Sequence, residues 1–301
     1  MIRFTFVRRL FVAISVGIGL ILMAPQAMAQ AKCDLVMSAM DTWELQYDPF
    51  GDAQNSATFE IQFVNSGHTP CVGRLSASSL GDKGYLESDT TSARVPFALR
   101  DVSNSNNITP GTSGRLTGRT TMIRSDDSGA GRIEFRVTPP QNLQAGRYTQ
   151  FVDLEFIMPN GTVHATKRVL LVLNIKPSLI IGLAGQVSRI HGVPTLDLGE
   201  LTQDGEVPLQ ARVYVRSSTN YQITVTSVNN GVLRHRQQEW TIPYSLKMGG
   251  QDIALGAPYH VTYSHTGAPV DNYPLQIFVR DIAGKRAGRY TDVLRFTVAA
   301  I

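Results

Sequence analysis

Cysteine is nearly absent: two residues in a chain of 301, too few for a disulfide-dense scaffold. Charge is sparse as well. Charged side chains make up 17% of the sequence against about 25% in ordinary globular proteins, and no long block of one sign occurs. A coiled coil and a basic nucleic-acid arm are thereby excluded. No long window carries an apolar face at helical spacing. No glycine-rich run follows a strand and opens a helix, so nucleotide binding has no support. The six histidines show no HExxH or comparable ligand spacing. Asp197, Glu200, Asp204 and Glu206 lack the order of an EF-hand. Asp127-Ser128-Gly129 lacks the surroundings of a serine nucleophile. The sequence therefore predicts no enzyme, no cofactor, no metal site and no nucleic-acid partner.

What is present begins with the N-terminus. Arg3, Arg8 and Arg9 precede an uncharged run from Leu10 to Met23, which ends at Ala27-Met28-Ala29. A basic start, a short apolar stretch and a small-residue cleavage pattern mark residues 1–29 as a secretory signal peptide. Those residues hold three of the 28 basic side chains and none of the 24 acidic ones. The formal charge of +4 is therefore a sign of export, and the rest of the chain is close to neutral. Beyond residue 29 no run is long and apolar enough to span a bilayer. In an oxidising compartment Cys33 and Cys71 are expected to form a disulfide, worth roughly 3–4 kcal/mol by loop closure.

Apolar residues recur with period 2: Phe59, Ile61 and Phe63; Ile133, Phe135 and Val137; Val213 and Val215; Leu275, Ile277 and Val279. Such alternation predicts half-buried strands. Turn-forming clusters separate them, among them residues 103–118, Asp126 to Gly131 and Asn229-Asn230-Gly231. The fold class is all-β, with two Ig-like β-sandwich domains.

Ala145-Gly146-Arg147-Tyr148-Thr149 recurs as Ala287-Gly288-Arg289-Tyr290-Thr291. Each copy leads into a strand of the same parity, with Val152, Leu154 and Phe156 in the first and Leu294, Phe296 and Val298 in the second. The first copy is followed by a turn at Met158-Pro159-Asn160-Gly161 and a further apolar strand up to Ile175. After the second copy the sequence ends at Ile301. Two related sandwiches are expected, residues 30–176 and 177–301, the second one strand short. A missing last strand leaves an apolar groove and unpaired backbone groups, which a strand from another chain could fill. The alternative is a second sandwich that closes on itself with another strand order.

Gly288-Arg289-Tyr290-Thr291-Asp292 with the strand Val293 to Val298 resembles the C-terminal signature of the spore coat protein U domain. That domain occurs in subunits of archaic, Csu-type chaperone–usher pili. Leu196-Asp197-Leu198-Gly199, the segment Asn229 to His235, and Ile242-Pro243-Tyr244-Ser245-Leu246 are similar to it in the same order. The resemblance covers residues 178–301. It implies an incomplete pilin fold, in which Tyr290, Leu294, Phe296 and Val298 line the donor-strand groove. It also implies a periplasmic chaperone, an outer-membrane usher and an adjacent pilin as partners, with export to the periplasm and then to a cell-surface pilus. Only Gln30, Ala31 and Lys32 lie between the cleavage point and Cys33, so no free donor segment is expected there. By the resemblance, a subunit that accepts a strand but donates none is a tip adhesin, acting in attachment to abiotic or host surfaces and in biofilm formation. An ordinary shaft subunit and a secreted carbohydrate-binding module are the alternatives.

Exposed apolar loop residues are the candidate adhesive positions: Tyr47 and Phe50, Tyr85 and Leu86, Met158 and Pro159. The competing reading for each is a side chain folded back over the core.

Overall fold

Burial follows the alternation closely. Along Arg94–Asp101 and Thr241–Met248 every second side chain is buried, which is what a strand with one face on a core requires. The computed structural model describes residues 32–51, 54–112, 118–140, 143–237, 239–265, 267 and 269–301. The signal-peptide reading, residues 1–29, lies outside them. Among the described residues there is no helix long and apolar enough to cross a membrane.

Among the described residues eleven strands precede residue 176: β1 (Leu35–Ala39), β2 (Thr42–Tyr47), β3 (Ser56–Asn65), β4 (Cys71–Ser78), β5 (Tyr85–Ser88), β6 (Arg94–Asp101), β7 (Asn106–Asn107), β8 (Thr121–Ile123), β9 (Asp127–Val137), β10 (Gly146–Ile157) and β11 (Val163–Ile175). Their pairing runs β1-β3-β9-β6-β5-β10-β11-β2, with β4 on β10. The layers enclose one core, in which Trp43 stacks on Phe59 with ring centroids 4.9 Å apart. A disulfide joins Cys33 to Cys71, tying the segment before β1 to the start of β4.

Thirteen strands follow among the described residues: β12 (Leu179–Gly185), β13 (Ser188–Ile190), β14 (Val193–Thr195), β15 (Gly205–Val207), β16 (Ala211–Ser217), β17 (Tyr221–Ser227), β18 (Val232–His235), β19 (Thr241–Met248), β20 (Gln251–Ile253), β21 (Tyr259–Tyr263), β22 (Asp271–Val279), β23 (Tyr290–Thr291) and β24 (Leu294–Ala300). One sheet runs β12-β16-β22-β19-β18-β23 and a second β21-β17-β24. They enclose a separate core built from residues such as Val213, Ile223, Leu246 and Ile277.

One turn expectation is corrected. Asp127 to Gly131 are the first part of β9, not a turn. Gly129 stands opposite Phe63 and Gly131 opposite Ile61 in the β3–β9 ladder. A methyl group at Gly131 would come within 3.1 Å of the Phe63 ring, and one at Gly129 within 3.0 Å of Ile123. These glycines make room for large neighbours inside a sheet, and the composition of a turn is a side effect.

Between the two cores, Lys176 to Ser178 are held on both sides. The Lys176 N–H donates to the Tyr47 carbonyl (3.1 Å) and the Ser178 N–H to Ser218 Oγ (2.9 Å), while Ser178 Oγ donates to Asp48 Oδ1 (2.8 Å). Ser218 also accepts the Ala145 N–H on its carbonyl (2.6 Å). The Arg216 guanidinium lies 4.8 Å from the centre of the Phe50 ring.

Candidate functional site

The five-residue repeat is a repeat of structure. Tyr148 Oη donates to the Gln144 carbonyl and Tyr290 Oη to the Arg286 carbonyl, each at 2.8 Å and each four residues upstream. This is the tyrosine corner that anchors a strand entering a sandwich. The next neighbours match too: β10 pairs with β5 at Tyr148 and with β4 from Asp153, whereas β23 pairs with β18 at Tyr290 and β24 with β17 from Leu294. The second copy is broken at Asp292. Its carboxylate accepts Ser227 Oγ and Tyr244 Oη, both at 2.6 Å, and the backbone N–H of Asn229 at 3.0 Å.

Beyond the repeat the units diverge. In the first, β11 runs antiparallel to β10 from Gly146↔Ile175 to Ile157↔Val163, and its other edge pairs in parallel with β2 from Leu170↔Thr42 to Ile175↔Tyr47. Val152, Leu154 and Phe156 of β10, beside it in the same sheet, are 0% exposed. In the second, β24 pairs only with β17 and β12 only with β16 among the described residues. Each therefore presents an unpaired edge, and the two strands lie beside each other with Cα atoms within 8 Å. Leu294, Phe296 and Val298, at the positions of the three sealed residues, are half-buried on the second core.

Leu179, Ile181 and Leu183 of β12 form the facing row, also half-buried against that core. The sequence reading placed only the β24 side of this seam, although the period-2 spacing of these three residues signals the other. Full burial of one such side chain is worth roughly 1.5–3 kcal/mol. A strand laid against β24 as β11 lies against β10 would complete that burial and satisfy the backbone groups of the edge. Tyr290 stands just before the row, its ring 5.1 Å from that of His235.

The candidate adhesive residues are scattered. Leu86 is 0% exposed and belongs to the first core, so its apolar character reflects packing and it offers nothing to a surface. Tyr85 is half-buried with Arg94 4.5 Å from its ring centre. Tyr47 ends β2 against the first core, and Phe50 sits under Arg216 at the junction. Phe50 thus meets the second unit, while the Tyr47 side chain packs back on the first core. Met158 packs half-buried on the first core, and Pro159 is exposed in the turn closed by the Gly161 N–H to the Met158 carbonyl (2.9 Å).

Polar clusters in the second unit are fixed donors. Burial, reinforced by the carboxylates they bond, pushes the Tyr221 and Tyr244 phenols far above the ordinary tyrosine range. Tyr221 Oη donates to Asp271 (2.7 Å), so both phenols stay protonated and serve as structural hydrogen-bond donors. His164 lies within 4.8 Å of both cysteine sulfurs, but sulfurs bonded to each other provide no thiolate.

No family model matches the chain, and no curated protein matches it. Solved structures that match in part include a chain of the CsuC–CsuE chaperone–tip adhesion subunit pre-assembly complex from archaic chaperone–usher Csu pili of Acinetobacter baumannii. It is 14% identical, with a TM-score of 0.45, over 87% of this chain and 99% of that one. The CupB6 tip adhesin of Pseudomonas aeruginosa is 9% identical with a TM-score of 0.40, over 88% and 94%. A mutant form of the CFA/I adhesin CfaE from enterotoxigenic Escherichia coli is 10% identical with a TM-score of 0.35, over 87% and 92%.

Proposed function

We propose that this protein is an exported, non-enzymatic subunit of a chaperone–usher pilus, and that its second unit accepts a donor strand from an adjacent pilin. The observation that carries the reading is the contrast between matched positions. Val152, Leu154 and Phe156 are fully buried on a strand that β11 flanks, whereas Leu294, Phe296 and Val298 stand half-buried on a strand whose corresponding edge has no partner among the described residues. On this reading a periplasmic chaperone occupies the seam before assembly, the outer-membrane usher exchanges it for the neighbour's strand, and the subunit sits at the pilus tip. The first unit then carries attachment to abiotic or host surfaces, with a role in biofilm formation.

The test is to append a copy of residues 158–175, the turn and closing strand of the first unit, after Ile301. A higher melting temperature of the second unit and a more monodisperse protein are the expected results. Unchanged melting would show that the second unit is already complete and would return the chain to the class of self-contained secreted binding modules.

A further inference from the structure

Three tyrosines of the second unit stand together: Tyr221 of β17, Tyr263 of β21 and Tyr273 of β22. Tyr221 and Tyr263 are cross-strand partners with ring centres 5.6 Å apart. The Tyr273 ring comes from the other sheet and lies 4.3 Å from that of Tyr263, the two planes inclined by 39°. At this separation carbons of the two rings are in van der Waals contact. Both side chains are half-buried, near enough to the surface for a dissolved oxidant to act on them.

The hydrogen bonds give the cluster an exit for a proton. Tyr221 has a single phenolic proton and donates it to Asp271 Oδ2 at 2.7 Å. Its oxygen is left to accept, so Tyr273 is the donor in the 2.5 Å contact between the two hydroxyls. Donation therefore runs from Tyr273 to Tyr221 to Asp271. Burial pushes the Tyr273 phenol up to about 12 and raises that of Tyr263, so neither is a phenolate at neutral pH. A half-buried phenol that loses an electron must shed its proton as well, because an unpaired positive charge is costly there. For Tyr273 the chain to the Asp271 carboxylate takes that proton.

Position gives a bond here a structural effect. β21 belongs to the sheet β21-β17-β24, and β22 to the sheet that carries β12. These are the two sheets whose free edges, on β24 and β12, border the open seam. Both cysteines of the chain lie in the first unit, so no disulfide ties the sheets of the second.

We propose that Tyr263 and Tyr273 are a site of oxidative cross-linking, converted to dityrosine by a peroxidase with hydrogen peroxide. Each phenol gives up one electron and its phenolic proton. The two radicals join through ring carbons ortho to the oxygens, and the displaced ring hydrogens return to the oxygens. In sum, two tyrosines and one hydrogen peroxide give one dityrosine and two waters. The product ties the two sheets of the second unit covalently. The inference goes beyond the pilus reading and does not depend on it, because the reaction needs no strand from another chain.

The test treats the full exported chain, dilute enough to stay monomeric, with a haem peroxidase and hydrogen peroxide. Dityrosine fluorescence, intact mass and a peptide map are read. The expected product is a monomer lighter by two hydrogens, with a linked peptide that joins Tyr263 to Tyr273. Tyr263→Phe and Tyr273→Phe should each abolish it, and Tyr85→Phe should leave its yield unchanged. Absence of dityrosine, linkage through other tyrosines, purely intermolecular products, or an undiminished yield in either of the first two variants would each overturn the assignment. The peptide map of the parent decides the matter even where a variant is unstable.

Discussion

Tyr148 and Tyr290 make the same hydrogen bond at corresponding corners, each reaching the carbonyl four residues back at 2.8 Å, yet Tyr148 is buried and Tyr290 is half-exposed. The difference marks the border between a strand that is covered and one that is not. Removing the hydroxyl by Tyr148→Phe leaves a partly buried carbonyl without its donor and should cost about 1–2 kcal/mol. Tyr290→Phe should cost less, about 0.5–1 kcal/mol, because water can replace the donor. Thermal or denaturant unfolding of the two single variants checks the order.

A second matched pair reads the seam directly. Phe156→Ala empties a sealed core site and should destabilise the first unit by about 3–5 kcal/mol. Phe296→Ala, at the equivalent position, should cost the second unit no more than about 2 kcal/mol. In the variant carrying the appended strand its cost should rise toward that of Phe156→Ala. Equal costs for the two substitutions in the parent chain would mean that Phe296 is already covered.

The disulfide should act locally. Replacing both Cys33 and Cys71 with Ser is expected to lower the stability of the first unit by about 2–4 kcal/mol and to leave the melting of the second unchanged. Calorimetric resolution of two transitions tests both halves of the statement.

How much of this was legible in the residues differs by feature. The alternation at Phe59, Ile61 and Phe63, or at Leu275, Ile277 and Val279, marks strands because a sheet with one wet face imposes period 2. The repeat around Tyr148 and Tyr290 pointed to two related units because the tyrosine corner needs the same residue types each time. The β12 row was overlooked because Leu179, Ile181 and Leu183 look like any other strand until the sheet order shows that its edge is free. Leu86 failed as an exposed candidate because proximity to a turn glycine says nothing about which face of β5 it occupies.

The junction should respond to acid. Asp48 is held below the ordinary carboxylate range by the Phe50 backbone N–H and by the Ser178 hydroxyl. Its folded-state pKa is depressed, so its contribution is present above the unfolded value of about 4 and is lost as pH falls through the lower folded value. The Asp48 contact between the units should therefore be intact at about pH 6 and weaken toward about pH 2, while Asp48→Asn, whose amide oxygen still accepts but carries no charge, should lose that pH dependence. Small-angle scattering across that range reads the change, and the parent's pH dependence retained in Asp48→Asn would remove this contact from the junction.

The parallel ladder between β2 and β11 also sets a timetable. It joins Thr42 to Leu170, so one of the earliest strands to be synthesised has no neighbour on that side until one of the latest strands of its unit exists. Closing so long a loop is slow, and until then Trp43 and Leu45 have an unfinished core to pack into. Until residue 175 has been made the first unit cannot finish folding, so its early strands stay open to whatever acts on an unfolded chain.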